Sequence, residues 1–267
     1  MATLFQATGG TTTLIPTKAW TAPNGMFTTV ARNDGSAYSW ASTTSTVTLP
    51  SSGLANGYLI IAAFEFQDTS NGRHNPQGKI VQASGTGNIV GGATSGYNRD
   101  ASEDRSYVRT WAMVDSPSAG ATFQFQWKRD NESPTGGTVR SEFQVIPLYY
   151  SNIGMYKSTT AALYGGTTPN QTTGWTAVHE SDTAAIQLAT NQVTVKTANT
   201  RYLVLGSWFF EGLGGRTQRW GGLRDGGTFL NHAKSYAYSR NGNNDEVGEM
   251  FTHLIERTTA NKTLDVA

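Results

Sequence analysis

The sequence predicts an all-β protein: two tandem, homologous, jelly-roll-like β-sandwich domains behind an extended N-terminal arm. Three observations carry this expectation. Charged residues make up only 15% of the chain and aromatics 11%, with 30 glycines among dense Thr and Ser; that balance of strand formers and turn formers suits sheets and argues against disorder. Apolar residues recur at every second position in short runs, and no convincing amphipathic helix interrupts them. The same succession of runs is written twice, once from Phe27 and again from Trp175.

Taken in order, residues Met1–Gly25 are polar, with Thr11–Thr12–Thr13, Pro16, Pro23 and Asn24–Gly25. They read as an arm that packs on something else. The first domain, 26–148, holds expected strands near 27–31, 36–41, 45–49, 58–67, 78–90 (broken by Gly), 105–114, 121–128 and 139–148. About eight strands favour a jelly roll over a seven-stranded immunoglobulin-like sandwich. The run Gly57–Phe66 is nearly continuous in apolar, aromatic and β-branched residues, as a strand buried on both faces would be. Alternation at Phe123, Phe125 and Trp127 marks a strand with one buried and one wet face. Residues 149–174, rich in Thr, Gly and Ser with Pro169–Asn170, read as a linker to the second domain, 175–267.

The repeat rests on preserved spacing. The step from Val30 to Tyr38 and the step from Val178 to Ile186 are both 8 residues, and those from Arg99 to Phe123 and from Arg240 to Leu264 are both 24. The central run Tyr58–Phe66 returns as Tyr202–Phe210, each followed by a Gly-Arg loop, Gly72–Arg73 and Gly215–Arg216. Each copy then places Tyr-x-Arg, Tyr97–Asn98–Arg99 and Tyr238–Ser239–Arg240, before an acidic turn. The copies differ at the end. The first continues into the strong strand Phe143–Leu148; the second stops at Ala267, where that hairpin should begin. The expectation is an open apolar sheet edge, filled either by further chain beyond Ala267 or by a neighbouring element.

Composition excludes several function classes. The formal net charge is +1, so no global field draws in nucleic acid or an anionic membrane. The absence of Cys removes disulfides, thiolate metal sites and Cys nucleophiles. The opening Met1–Gln6 carries no secretory signal pattern, and no apolar run approaches a membrane span. Synthesis in a cytoplasm without a cleaved signal, and no membrane insertion, are expected.

No catalytic constellation emerges. The histidines His74, His179, His232 and His253 are scattered, with no metal-binding spacing, so neither a metal nor a cofactor is expected. Glu65 and Glu211 end the two central strands but belong to different copies, so a shared glycosidase cleft is not implied; a strand-end carboxylate bonded to a neighbouring Arg is the better reading. In Tyr-x-Arg, the aromatic face and guanidinium suit a sugar or carboxylate. Recurrence in both copies favours a structural role instead, with the Tyr filling the sandwich and the Arg pairing with the following acids. The Gly pairs, among them Gly91–Gly92 and Gly226–Gly227, read as turns rather than phosphate cradles. The residues singled out for ligand or interface contacts are Arg73 and Arg216 in the two Gly-Arg loops and Trp220, placed in a loop beside Gly221–Gly222.

The polar start, the cysteine-free Gly/Thr/Ser-rich strands and the tandem Tyr-x-Arg β-domains resemble virion proteins of tailed bacteriophages. In particular they look like the jelly-roll modules of capsid decoration proteins, head fibres and tail-associated fibres, over Phe27–Ala267. The resemblance implies a non-enzymatic assembly protein, made in host cytoplasm and released by lysis, with other virion proteins and copies of itself, as a homotrimer, for partners. The alternative is a carbohydrate- or receptor-binding module that meets a host-surface glycan. An all-β glycosidase or lyase would need paired acids across one cleft, and the sequence offers none.

Overall fold

The computed structural model describes residues 4–12, 18–52, 54–68, 75–98, 105–129, 136–158, 171–210, 217–239, 247–257 and 261–266. The protein is all-β and its sheets are antiparallel. The first part of the chain supplies β1 (Phe5–Gly9), β2 (Thr29–Asn33), β3 (Ser39–Ala41), β4 (Thr46–Thr48), β5 (Gly57–Asp68), β6 (Gln77–Ser84), β7 (Asn88–Gly91), β8 (Thr94–Ser95), β9 (Arg105–Asp115), β10 (Thr122–Lys128) and β11 (Gly136–Leu148). They form one sheet ordered β2-β1-β11-β5-β9-β7 and another ordered β3-β4-β10-β6-β8. The expected strand 78–90 is two strands, because Gly85 (φ +85°) and Gly87 (φ +153°) turn the chain between β6 and β7.

One aromatic core joins the two sheets. Tyr58, Ile60, Ala62, Phe64 and Phe66 of β5 alternate inward with Phe143 and Val145 of β11, and meet Val47, Ile80, Phe123, Phe125 and Trp127 from the other sheet. Phe64 lies edge-on to Phe125 and Trp127, with ring centroids 5.8 and 6.0 Å apart. The reverse face of β5 is covered too: Leu59, Ala63 and Glu65 are buried. That double burial is why Gly57–Phe66 reads as one apolar run.

The N-terminal arm needs correction. Within Met1–Gly25, residues Phe5–Gly9 are not an arm but a strand inside the first sheet, paired to β11 from Phe5↔Val145 to Gly9↔Ser141 and to β2 on the other edge. Phe5 and Ala7 are wholly buried. Only two apolar residues alternate in this segment, too few to announce a strand; the long edge of β11 supplies the reason for it to be one. Gly9 is required at its end, since a Cβ there would stand 1.8 Å from the carbonyl oxygen of Met26.

The later strands are β12 (Gly154–Ser158), β13 (Trp175–Glu180), β14 (Ile186–Ala189), β15 (Gln192–Val195), β16 (Thr200–Phe210), β17 (Thr217–Asp225), β18 (Thr228–Ser239), β19 (Val247–Arg257) and β20 (Lys262–Val266). Their sheets are ordered β14-β15-β20-β17-β18, β12-β13 and β16-β19. The expected linker 149–174 therefore contains a strand, β12, whose apolar Met155 and Tyr156 are adjacent rather than alternate and so leave no strand signature.

Strand for strand, these sheets follow the order of the first set. The sequence β3-β4-β10-β6-β8 corresponds to β14-β15-β20-β17-β18, β5-β9 to β16-β19, and β1-β2 to β12-β13. Even an irregularity recurs: β2 skips Ala31 against β1, and β13 skips Val178 against β12, a bulge of one residue on the same strand of each pair. No counterpart of β7 or β11 occurs among the described residues.

Two compact units divide the chain, and they do not follow chain order. The first comprises Met1–Tyr149, Ser207–Arg219 and Ala237–Glu249; the second comprises Tyr150–Gly206, Trp220–Tyr236 and Met250–Ala267. The first unit runs unbroken to Tyr149, and two later segments join it. Within the first unit, the Gly248 amide donates to Ser95 Oγ at 3.1 Å.

Candidate functional site

Glu65 sits late in β5, directly opposite Arg140 of β11 and Tyr107 of β9. Its two oxygens accept from two guanidinium groups, Arg105 Nη1 at 2.9 Å and Arg140 Nε at 2.6 Å. Those hydrogen bonds, Arg105's first, hold the carboxyl below the ordinary Glu range against the opposing effect of burial. A carboxylate kept ionised in this way is unsuited to donate a proton as a general acid. It ties β9 to β5 and β11, as the strand-end reading expects. Glu211 lies outside the described residues.

The two tyrosines of the Tyr-x-Arg elements occupy corresponding places, Tyr97 just after β8 and Tyr238 near the end of β18. They do not fill a core as expected. Their rings meet edge to face, with centroids 5.9 Å apart, and Tyr238 is 38% exposed. Arg99 and Arg240 lie outside the described residues.

Of the residues expected to make contacts, Arg73 and Arg216 also lie outside the described residues. Trp220 is described, and its surroundings correct the loop assignment: it is a residue of β17. The Gly221–Gly222 pair beside it serves close approach rather than a turn, because a Cβ on Gly222 would lie 2.3 Å from the Ala233 carbonyl oxygen of β18. The turn is at Gly226–Gly227, both at positive φ. Trp220 nevertheless presents 41% of its surface, its ring 5.1 Å from Phe229. Lys234 Nζ lies 5.3 Å from the Phe229 ring centroid, and Tyr236 of the same strand is 73% exposed. A sheet face bearing Trp, Phe, Tyr and an ammonium group offers apolar stacking and cation–π contact, the chemistry of a sugar or peptide surface rather than of a reaction centre.

Trp111 and Trp127 are buried. Trp20 is flanked by Lys79 and Lys128, whose Nζ atoms lie 4.3 and 4.9 Å from its ring. Burial, and then the neighbouring Lys128 charge, push the Lys79 amine down. His179 is in β13 and His253 in β19, and no group of three His, Cys, Asp or Glu residues that could hold a metal occurs among the described residues. No helix of the described residues is long and apolar enough to cross a membrane.

Two features escape sequence reading. One is a buried ion pair in the second unit, Arg224 Nε to Asp265 Oδ1 at 2.5 Å, with Gln192 Nε2 donating to the other oxygen at 3.3 Å. Its members stand on β17, β20 and β15, and only the strand pairing Arg224↔Asp265 brings them together. The other is the polar pair flanking Phe66. Ser106 and Thr138 stand opposite Phe66 on the two adjacent strands, buried, with hydroxyls that have no hydrogen-bond partner. No protein-family model matches the sequence, and no curated protein matches it.

Proposed function

We propose that this chain is a non-enzymatic structural protein of a tailed-phage virion, carried on the particle exterior as a capsid decoration or fibre component. In this reading it is two tandem jelly-roll modules. The strands β1-β11-β5-β9 and β4-β10-β6-β8 interleave in chain order as the two four-stranded sheets of such a module do, and the later strands repeat that order. The observation that carries the reading is this repetition of a whole scaffold, combined with the use of its charged groups for cross-strand pairing, as at Glu65 and Arg224. Its partners are other virion proteins and copies of itself in a homotrimer, with no nucleic acid, membrane insertion or cofactor. Mass spectrometry and antibody labelling of purified particles test it: the protein on the outer surface is the expected result, and its absence from intact particles refutes the reading.

A second reading, a module that binds host-surface glycan, is favoured by the exposed aromatic face of Trp220, Phe229 and Tyr236. It requires saturable glycan binding that Trp220→Ala and Tyr236→Ala each weaken at least tenfold. A flat glycan array removes it.

A further inference from the structure

We propose that the outer face of the sheet β3-β4-β10-β6-β8 holds a binding site for an acidic saccharide, formed by Trp20, Lys79, Lys128 and Gln77. All four residues belong to the first compact unit. Gly78 of β6 faces the core, where a Cβ would stand 2.9 Å from the Phe125 ring, so its neighbours Gln77 and Lys79 turn to the opposite face. Lys128 follows the buried Trp127 on β10 and stands directly opposite Gln77. Thr21 and Trp127 exchange both backbone hydrogen bonds, at 3.1 and 2.9 Å, which sets Trp20 beside Lys128. Trp20, Lys128 and Gln77 thus form a row across the outer face, with Lys79 diagonal to Lys128.

The charges on this sheet are concentrated at one spot. Its five strands carry two charged residues, both lysines, and no Asp or Glu. Both ammonium groups converge on one indole, at 4.3 and 4.9 Å from the ring centroid. The ring attracts each of them, but two like charges gathered there repel one another. The depressed Lys79 amine carries that opposition, after the effect of burial. An oxyanion seated between the two lysines removes it. Gln77 is a second, independent observation. It is 0% exposed, and neither its Nε2 nor its Oε1 has a hydrogen-bond partner. Other amides of the same face are linked: Gln126 donates to Gln124 at 2.9 Å, and Gln124 to Thr46 at 3.4 Å. Gln77 alone of these keeps a donor and an acceptor for a group that enters beside the lysines.

These groups specify the occupant. The ammonium pair takes a carboxylate, the half-buried indole offers its remaining surface to the C–H face of a sugar ring, and the amide takes hydroxyls. A hexuronate carries all three features within one residue. A nucleic acid strand needs a track of cations along its phosphates, and this sheet supplies a single pair. The site is independent of the exposed Trp220, which belongs to the other compact unit.

The test titrates the full chain by calorimetry with a trisaccharide of galacturonic acid, and in parallel with the neutral galactose trisaccharide, sulfate and a single-stranded oligothymidylate. Expected is saturable binding of one acidic trisaccharide per chain, with the neutral sugar and sulfate weaker by about tenfold or more. Lys79→Gln and Gln77→Leu should each weaken that binding by about tenfold without lowering the thermal midpoint. The first removes a like-charge contact, and the second removes a buried amide that has no partner. Lys79→Arg should retain binding, and Trp220→Ala should leave it unchanged. The proposal is overturned if the folded chain fails to bind the acidic trisaccharide, if the neutral sugar binds equally, or if the oligonucleotide binds more tightly. Sulfate binding as tightly as the trisaccharide overturns it too, since the site then holds an adventitious ion only. So does binding that survives both Lys79→Gln and Gln77→Leu, or that Trp220→Ala abolishes.

Discussion

Replacing Phe5 by Ala separates an arm from a structural strand. Phe5 is wholly buried and its ring lies 5.7 Å from Tyr38 and 5.5 Å from Trp40. Removing about 150 Å² of buried aromatic surface at about 25 cal/mol per Å² costs about 4 kcal/mol, within the ~3–5 kcal/mol seen for Phe→Ala in cores. The loss is expected in urea unfolding followed by tryptophan fluorescence. Because β1 pairs with β11 from Phe5↔Val145 to Gly9↔Ser141, amide exchange should also quicken over Ser141–Val145. Val30→Thr, at a 45% exposed site on β2, should change stability by no more than about 0.5 kcal/mol. A loss below about 1 kcal/mol for Phe5→Ala, with exchange over Ser141–Val145 unchanged, would refute the placement of β1. Trimming the first nine residues removes β1 from within the first sheet, so under the proposed virion role a loss of particle binding after that deletion reports misfolding, and surface substitutions are the better probe of docking.

Thr138→Val should raise stability by about 1 kcal/mol, because it replaces a buried, unpartnered hydroxyl with a methyl group of equal size; a loss in thermal melts would show that the hydroxyl is paired. A Cβ at Gly206 would stand 2.1 Å from the Phe251 ring, while the corresponding cross-strand pair in β5 and β9 is Ala62 and Thr110. Gly206→Ala alone should cost about 1–3 kcal/mol, and combining it with Phe251→Thr should recover part of that loss as a coupling above about 0.5 kcal/mol; strict additivity in the double-mutant cycle would count against the correspondence. Glu65 is held below its ordinary value of 4.5, so its contribution is present above the unfolded-state value and fades as pH falls through it towards the depressed folded-state value. Glu65→Gln should cost about 1 kcal/mol at neutral pH, a modest figure because Arg105 and Arg140 are 49% and 75% exposed. The gap from the unsubstituted protein should close as pH falls below the ordinary Glu value of 4.5; a gap independent of pH would dismiss the ion pairs as its source.

Much of the architecture was legible in the chain alone. Alternation and spacing mark β5, β9, β10 and β11 to within a few residues, and their repetition marks β16, β19 and β20, because burial on a fixed face imposes a period of two that any reader of the sequence can count. The candidate site was far less legible. Trp220 is exposed, but Gly221–Gly222 pointed to a turn where the glycines instead make room for β18. Strands β1 and β12 left almost no trace, since five residues with one or two inward side chains carry too little pattern to be told from a loop.

What the sequence by itself determined is the fold class and the order of its strand-forming runs, since both are matters of local period along the chain. What only the tertiary structure decided is who stands beside whom: β1 beside β11, Glu65 between Arg105 and Arg140, and Arg224 against Asp265. Such neighbours are set by long-range strand pairing, in which backbone groups distant along the chain satisfy one another, and no local pattern of side chains encodes which distant edge will do so.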